Sequence, residues 1–230
     1  MVRLEELPRL PACACQVYRL VNSKFPPIDL FDDVASAEEF DMLYELQAMT
    51  NPRLRAEVGD LGLIPTTEIP FGIPGCSYAT APFTHVTPAG SRFSHGRYGV
   101  LYIADVMDTA LAEVRHHQET YWRNVTDLSY ERFVFRGLVC HFDEAEMADG
   151  LAIPREHPVY APDDYSASRE LGDVIKAEGV PGLRYHSLRR PGAICWALMT
   201  PRPVTSIVPT VHYEMIWNGS ITGVSRISSP

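Results

Sequence analysis

The chain has 230 residues and carries 20 Lys and Arg against 29 Asp and Glu, a formal net charge of −9. That balance lacks the basic footprint that a nucleic-acid backbone or an anionic membrane surface requires, so neither is an expected partner. With 46% hydrophobic and 21% charged residues, the composition is that of a globular domain, which at this length buries roughly 70% of the surface its unfolded chain exposes.

In chain order, Cys15 to Val21 is short, apolar and partly β-branched, and reads as a strand that Phe25-Pro26-Pro27 ends. Ser36 to Met49 reads as a helix. Ser36 is its N-cap, Glu39 completes a capping box, and Phe40, Leu43, Leu46 and Met49 recur on one face. Residues 50–90 form a loop-rich insertion rich in Pro and Gly, with a strand-like run at Cys76 to Ala79. Tyr98 to Ala104 is a strand. The turn Asp105 to Asp108 follows, and Asp108 or Thr109 can cap a helix running toward His117. Phe133 to Phe142 is a strand, and Ser166 to Glu178 a helix with Ser166 as N-cap and Gly179 as stop. Leu183 to His186 and Ala193 to Leu198 are strands. Asn218-Gly219 joins a terminal hairpin over about 211–227. Strands and helices mix without β-α-β alternation, so an α+β fold in a single domain is expected.

Several chemistries lack their motifs. There is no Walker loop, no G-x-G-x-x-G, no H-E-x-x-H and no G-x-S-x-G. His116 and His117 are adjacent, so on a helix they point about 100° apart and chelate one metal poorly. The five cysteines are odd in number, and Cys13-Ala14-Cys15 is the one close pair. A single C-x-C is a poor zinc pattern, so reduced thiols in a cytoplasmic protein and no metal are expected. The N-terminus has no apolar signal region, and the run Ala193 to Met199 is too short to span a membrane.

Four positions remain at the edges of apolar elements. Arg19 sits inside the first strand, where a half-buried guanidinium needs an anion, either a structural carboxylate or a ligand. Tyr102 and Glu113 stand on either side of a strand–turn–helix unit. Ser166 opens a helix, a place for a cap or for an anion or ribose hydroxyl.

These positions fall into a familiar order. Val17-Tyr18-Arg19-Leu20 resembles the Arg-bearing opening strand of the RES domain family, which is named for its Arg, Glu and Ser. Gly90 to Ser94 is similar to that family's G-G-R-W-N, with Phe93 and Ser94 replacing Trp and Asn. Leu101-Tyr102-Ile103-Ala104 followed by Thr109 to Glu113 resembles the run that carries the Glu. Asp164 to Gly172 resembles a serine-bearing segment, and Gly182-Leu183-Arg184-Tyr185-His186-Ser187 the strand that follows it. The resemblance spans about residues 16–200. Ser166 is the first candidate for the family serine, with Ser168 and Ser187 as alternatives.

The resemblance implies an ADP-ribosyltransferase-like mixed β-sheet core with flanking helices. It also implies the toxin half of an Xre–RES toxin–antitoxin pair, with an oligomer formed with the antitoxin. NAD+ is then a consumed substrate and no resident cofactor is expected. The nicotinamide–ribose bond would be cleaved, with inorganic phosphate or water as acceptor. Protein mono-ADP-ribosylation and a non-catalytic nucleotide- or partner-binding module are the alternatives. Glu113 would stabilise the oxocarbenium-like charge on the ribose. Arg19 would pair with the pyrophosphate, and Arg92 would be a second phosphate contact. Tyr102 would stack on the nicotinamide, and Ser166 would hold the ribose or orient Glu113.

Overall fold

This computed structural model describes residues 2–24, 29–51 and 53–227. The Phe25-Pro26-Pro27 stop lies outside them. In chain order the elements are β1 (Ala14–Asn22), α1 (Asp29–Asp32), α2 (Ala37–Ala48), α3 (Leu54–Val58), α4 (Cys76–Thr84), β2 (Leu101–Ala104), α5 (Met107–Arg123), β3 (Glu131–Asp143) and β4 (Ala148–Asp149). They continue with α6 (Ser166–Ala177), β5 (Gly182–His186), β6 (Ile194–Leu198), β7 (Val204–Trp217) and β8 (Ile221–Ile227). Among the described residues the strands form one sheet in the order β4-β5-β6-β2-β1-β3-β7-β8. The β4–β5 pair is parallel and the others are antiparallel. The α+β class with a mixed sheet and flanking helices is therefore found. No helix of the described residues is long and apolar enough to cross a membrane.

Strand alternation divides the core into two layers. Leu101 and Ile103 of β2 meet Trp196 and Leu198 of β6 on one face, and helices α1 to α4 cover it through Phe31, Phe40, Val58 and Phe83. Ala104, Cys195 and Ala197 point to the other face, which α5 and α6 cover through Ala110, Trp122, Leu171 and Ile175. Each fully buried large apolar side chain in these layers contributes roughly 1.5–3 kcal/mol.

The expected strands at 15–21, 133–142, 183–186 and 193–198 are present, and so is the hairpin at Asn218-Gly219, with Gly219 at φ 74°. Four local expectations change. Cys76 to Ala79 is not strand but the start of α4, entered through Gly75 at φ 78°; so short an apolar run carries no periodicity to separate the two. Ser36 does cap α2, accepting from the Glu39 amide at 3.2 Å, while the Glu39 carboxylate bonds the Ala35 amide at 2.8 Å. Yet Leu46 and Met49 are 63% and 81% exposed, because α2 meets its neighbours through Phe40, stacked on Phe31 and beside Tyr44 and Phe71. Helix α5 begins at Met107, ahead of either expected cap, with no side-chain cap on its first turn, and runs on to Arg123. The terminal hairpin is no appendage, since β7 pairs with β3 along most of its length.

Between β1 and β2 the sheet parts. Strand β1 pairs with β3 continuously from Ala14↔Asp143 to Asn22↔Phe135. On its other side it meets β2 at a single pair, Tyr18↔Ala104. The two strands part beyond that pair, and the gap lies on the α5–α6 side of the sheet, where loop 90–94 closes against α6. There Gly172 lies so close to the loop that an added Cβ would sit 2.0 Å from the Phe93 carbonyl oxygen. Gly172→Ala is therefore expected to lower stability by about 1–3 kcal/mol, read as a lower urea midpoint at unchanged slope; a parental midpoint would disprove the tight contact.

Candidate active site

The parting of β1 and β2 opens a cavity of ≈ 340 Å³. Strand β1 contributes Tyr18 and Arg19 to its wall, β2 contributes Tyr102, and the preceding loop contributes Arg92. Helix α5 presents Glu113, Val114 and His117. Helical spacing explains that set: Ala110, Glu113, Val114 and His117 share one face. Tyr185 and Cys195, opposite each other on β5 and β6, also line the cavity.

Arg19 reaches across the gap. Its Nη1 donates to the Tyr102 carbonyl at 2.9 Å, taking up a backbone acceptor on the side of β2 where the β1 ladder stops. Burial pushes its pKa down to about 10, so it stays a cation at neutral pH. Among the described residues it has no carboxylate within ion-pair distance. The structural alternative for Arg19, a salt bridge within the fold, is thus not the one found.

Glu113 is held by a residue that the first choice of serine passed over. Ser187, 3% exposed and just after β5, donates its hydroxyl to Glu113 Oε1 at 2.6 Å. The same Oγ accepts from the amides of Arg189 at 3.3 Å and Arg190 at 3.1 Å. Two incoming amides leave the hydroxyl proton one direction, toward the carboxylate, and a short bond to a charged acceptor is strong.

Ser166 is not part of this group. It is exposed and does not line the cavity. It is also not the cap expected of it: it is the first residue of α6, and its amide and hydroxyl both donate to Asp164 Oδ1, at 2.9 and 2.6 Å. These bonds hold the Asp164 carboxyl below its ordinary pKa. Ser168 is buried and donates to the Tyr165 carbonyl at 3.0 Å. Orientation of Glu113 therefore falls to Ser187, the third of the three serines considered.

Tyr102 and Arg92 both face the cavity, and both are anchored. The Tyr102 hydroxyl accepts from the Phe93 amide at 3.0 Å and bonds Ser91 Oγ at 2.8 Å; burial raises its pKa to about 12. Its ring thus forms wall while its hydroxyl fixes loop 90–93. Arg92 donates to the carbonyls of Ala161 at 2.9 Å, Pro162 at 3.4 Å and Val159 at 3.5 Å. Its guanidinium also lies 4.3 Å from the centroid of the Tyr165 ring. Arg92 is a clamp on the 159–165 segment as well as a cavity cation, with Nε–H and one Nη2–H left for a ligand.

Sequence reasoning did not single out the wall residues Tyr18, His117, Tyr165, Tyr185 and Cys195 for the site. Tyr165 lies just before the helix that Ser166 opens and Tyr185 inside a strand, and neither stands out there. His117 carried a signal, its position one helical turn beyond Glu113. Burial is the main force lowering the His117 pKa; Glu113 opposes it, while His116, Arg189 and Arg92 add to it. Its imidazole is therefore neutral at neutral pH. Burial, with the Glu113 and Asp105 charges, drives the Cys195 thiol well up, so Cys195 is a protonated wall residue and not a nucleophile. The cavity thus holds two guanidinium groups, one locked carboxylate, a neutral imidazole and a set of aromatic faces. That set suits an anionic ligand with a polar ring or sugar at the carboxylate.

A family model described as "RES domain" matches residues 69–218. An uncharacterized protein of Sinorhizobium fredii, y4oC, is 29% identical over 208 residues, covering 89% of this chain and 84% of that protein. The crystal structure of the M. tuberculosis MbcT–MbcA toxin–antitoxin complex contains a chain that is 14% identical, with 54% of this chain and 73% of that one covered, at a TM-score of 0.38.

The contrast between the serines is measurable without a ligand. Ser187→Ala strands two amides and removes a partner from Glu113, so it is expected to lower stability by about 1–3 kcal/mol. Ser166→Ala, at an exposed helix start, should change it by about 0.5 kcal/mol or less. Urea unfolding of the two variants checks this, and equal midpoints would refute the assignment.

Proposed function

The chain belongs to the RES domain family, and from that footing we propose that it is an NAD+-consuming toxin that cleaves the nicotinamide–ribose bond. The observation that carries this reading is the Ser187-locked Glu113 carboxylate in the same cavity as a half-buried Arg19 that has no carboxylate partner among the described residues. NAD+ offers a match for each: a pyrophosphate for the guanidinium fork, and a ribose on which positive charge grows as the bond to nicotinamide lengthens.

In this mechanism the C1′–N bond breaks with its electron pair leaving on nicotinamide. Glu113 stabilises the resulting oxocarbenium-like charge and holds a ribose hydroxyl. A carboxylate already fixed by Ser187 stabilises that charge without reorganising during the step. Tyr102 offers its ring to the nicotinamide, and Arg92 supplements Arg19 at the phosphates through its two uncommitted donors. An oxygen of inorganic phosphate or water then bonds to C1′. When water attacks, its proton leaves to solvent or to the neutral His117 imidazole. NAD+ enters this scheme as a substrate and not as a resident cofactor. As the family resemblance implies, a cognate Xre-type antitoxin would neutralise the activity by covering the cavity.

The test is direct. Purified protein incubated with NAD+, with and without phosphate, should release nicotinamide, and the phosphate dependence identifies the acceptor. Intact NAD+ under both conditions would sink the proposal. Glu113→Ala should lower turnover by at least about 10²–10³-fold, and Arg19→Ala should act chiefly by raising KM. Ser187→Ala should lower kcat by on the order of 10²-fold through misplacement of the carboxylate, with Ser166→Ala close to the parent.

A further inference from the structure

The single C-x-C pair acquires a third partner in the fold. Cys13 lies just before β1 and Cys15 within it, so strand alternation puts both thiols on one side. Glu144 follows β3, the neighbouring strand. One ligand-capable atom from each of the three lies within 4.8 Å of the other two. The residues belong to a rigid corner. The Glu144 amide donates to the Cys13 carbonyl at 3.1 Å, and the Cys13 amide donates to Asp143 Oδ1 at 2.9 Å.

We propose that Cys13, Cys15 and Glu144 form a zinc site that fastens the start of β1 to the end of β3. Two thiolates and a carboxylate suit the borderline-soft zinc ion, which takes sulfur and oxygen donors in a tetrahedron. Zinc–sulfur bonds of about 2.3 Å bring the two sulfurs to about 3.8 Å. The exposed Cys13 and the half-buried Cys15 can close that distance by side-chain rotation. Cys13 also gives the ion an entry path and leaves the fourth position to water or an outside ligand.

The surroundings of Glu144 fit a carboxylate ligand. Its Oε2 accepts from Trp196 Nε1 at 2.9 Å and its Oε1 from Arg184 Nη1 at 3.5 Å. Each oxygen keeps a further lone pair, and these outer contacts fix the carboxylate as second partners fix metal ligands. The Arg184 charge is itself engaged by Asp149, through bonds of 3.2 and 2.8 Å. Each thiol would release its proton to solvent as the zinc–sulfur bond forms.

The test uses the full chain, reduced and stripped with a chelator, titrated with Zn²⁺ against a chromophoric zinc chelator. One zinc per chain is expected. Cys13→Ser and Cys15→Ser should each weaken binding by at least about tenfold. Cys13 is exposed, so its variant keeps the fold. Co²⁺ should give a thiolate charge-transfer band in the parent and a weaker one, from a single sulfur donor, in Cys13→Ser. Zinc should also raise the thermal midpoint of the parent more than that of the variant. No zinc bound by the parent, or equal affinity in the parent and both serine variants, would overturn the site. Cys13 lies outside the cavity, so NAD+ turnover in Cys13→Ser is expected to match the parent.

Discussion

The site depends on one discontinuity in the sheet. Strand β1 is continuous with β3 but touches β2 at a single pair, Tyr18↔Ala104. A backbone acceptor left unpaired inside a fold is expensive, and at Tyr102 the Arg19 guanidinium supplies the missing donor. The solution brings a full positive charge into a half-buried place and, among the described residues, leaves it without a carboxylate partner. The same geometric event opens the cavity and gives it its cation. Closing the ladder would remove both.

The locked carboxylate answers that cation. Glu113 is set on the α5 face that covers the gap, and Ser187 fixes it from the far side of the cavity through a hydroxyl held by two amides. So held, Glu113 forms no ion pair with Arg19 or Arg92. Held apart, the charges can meet a ligand that carries both a negative and a developing positive centre. On the proposed reading, this is also how a chain of net charge −9 would receive an anion: local fields near fixed groups outweigh the global one at contact distance.

What was legible in the sequence was local. Tyr102 and Glu113 belong to one strand–turn–helix unit, so their common orientation follows from spacing, and Arg19 stands out because a charge interrupts an apolar strand. Ser187 was harder. Its bond to Glu113 joins residues 74 apart in the chain, and nothing in its neighbours distinguishes it from Ser166, which sits at a helix start where serine is always reasonable. Arg92 was read as a phosphate contact alone, because its grip on the 159–165 carbonyls is equally long-range. The error at Cys76 to Ala79 has the opposite origin: a run of four residues is shorter than one helical period plus its repeat, so its pattern contains no answer. On α2, Leu46 and Met49 fit the period but not the partner, since the helix has only Phe40 and its neighbours to bury against.

The walls of the cavity bear on how it works. Loop 90–94 is tied by the Tyr102 hydroxyl from below, by the Gly172 contact from the side, and by Arg169, which donates to the carbonyls of Ser91 and Ala89 at 2.9 and 2.8 Å. Tyr165 in turn is bracketed by Arg92 and Arg169, with guanidinium carbons 4.3 and 5.8 Å from its centroid. The Arg169 and Gly172 ties span distant parts of the chain, so moving one wall strains another. On the proposed reading, selectivity comes from where Arg19 and Glu113 are held. A monoanion too short to reach the carboxylate would gain the guanidinium contact alone, while the pyrophosphate and ribose of NAD+ would engage both.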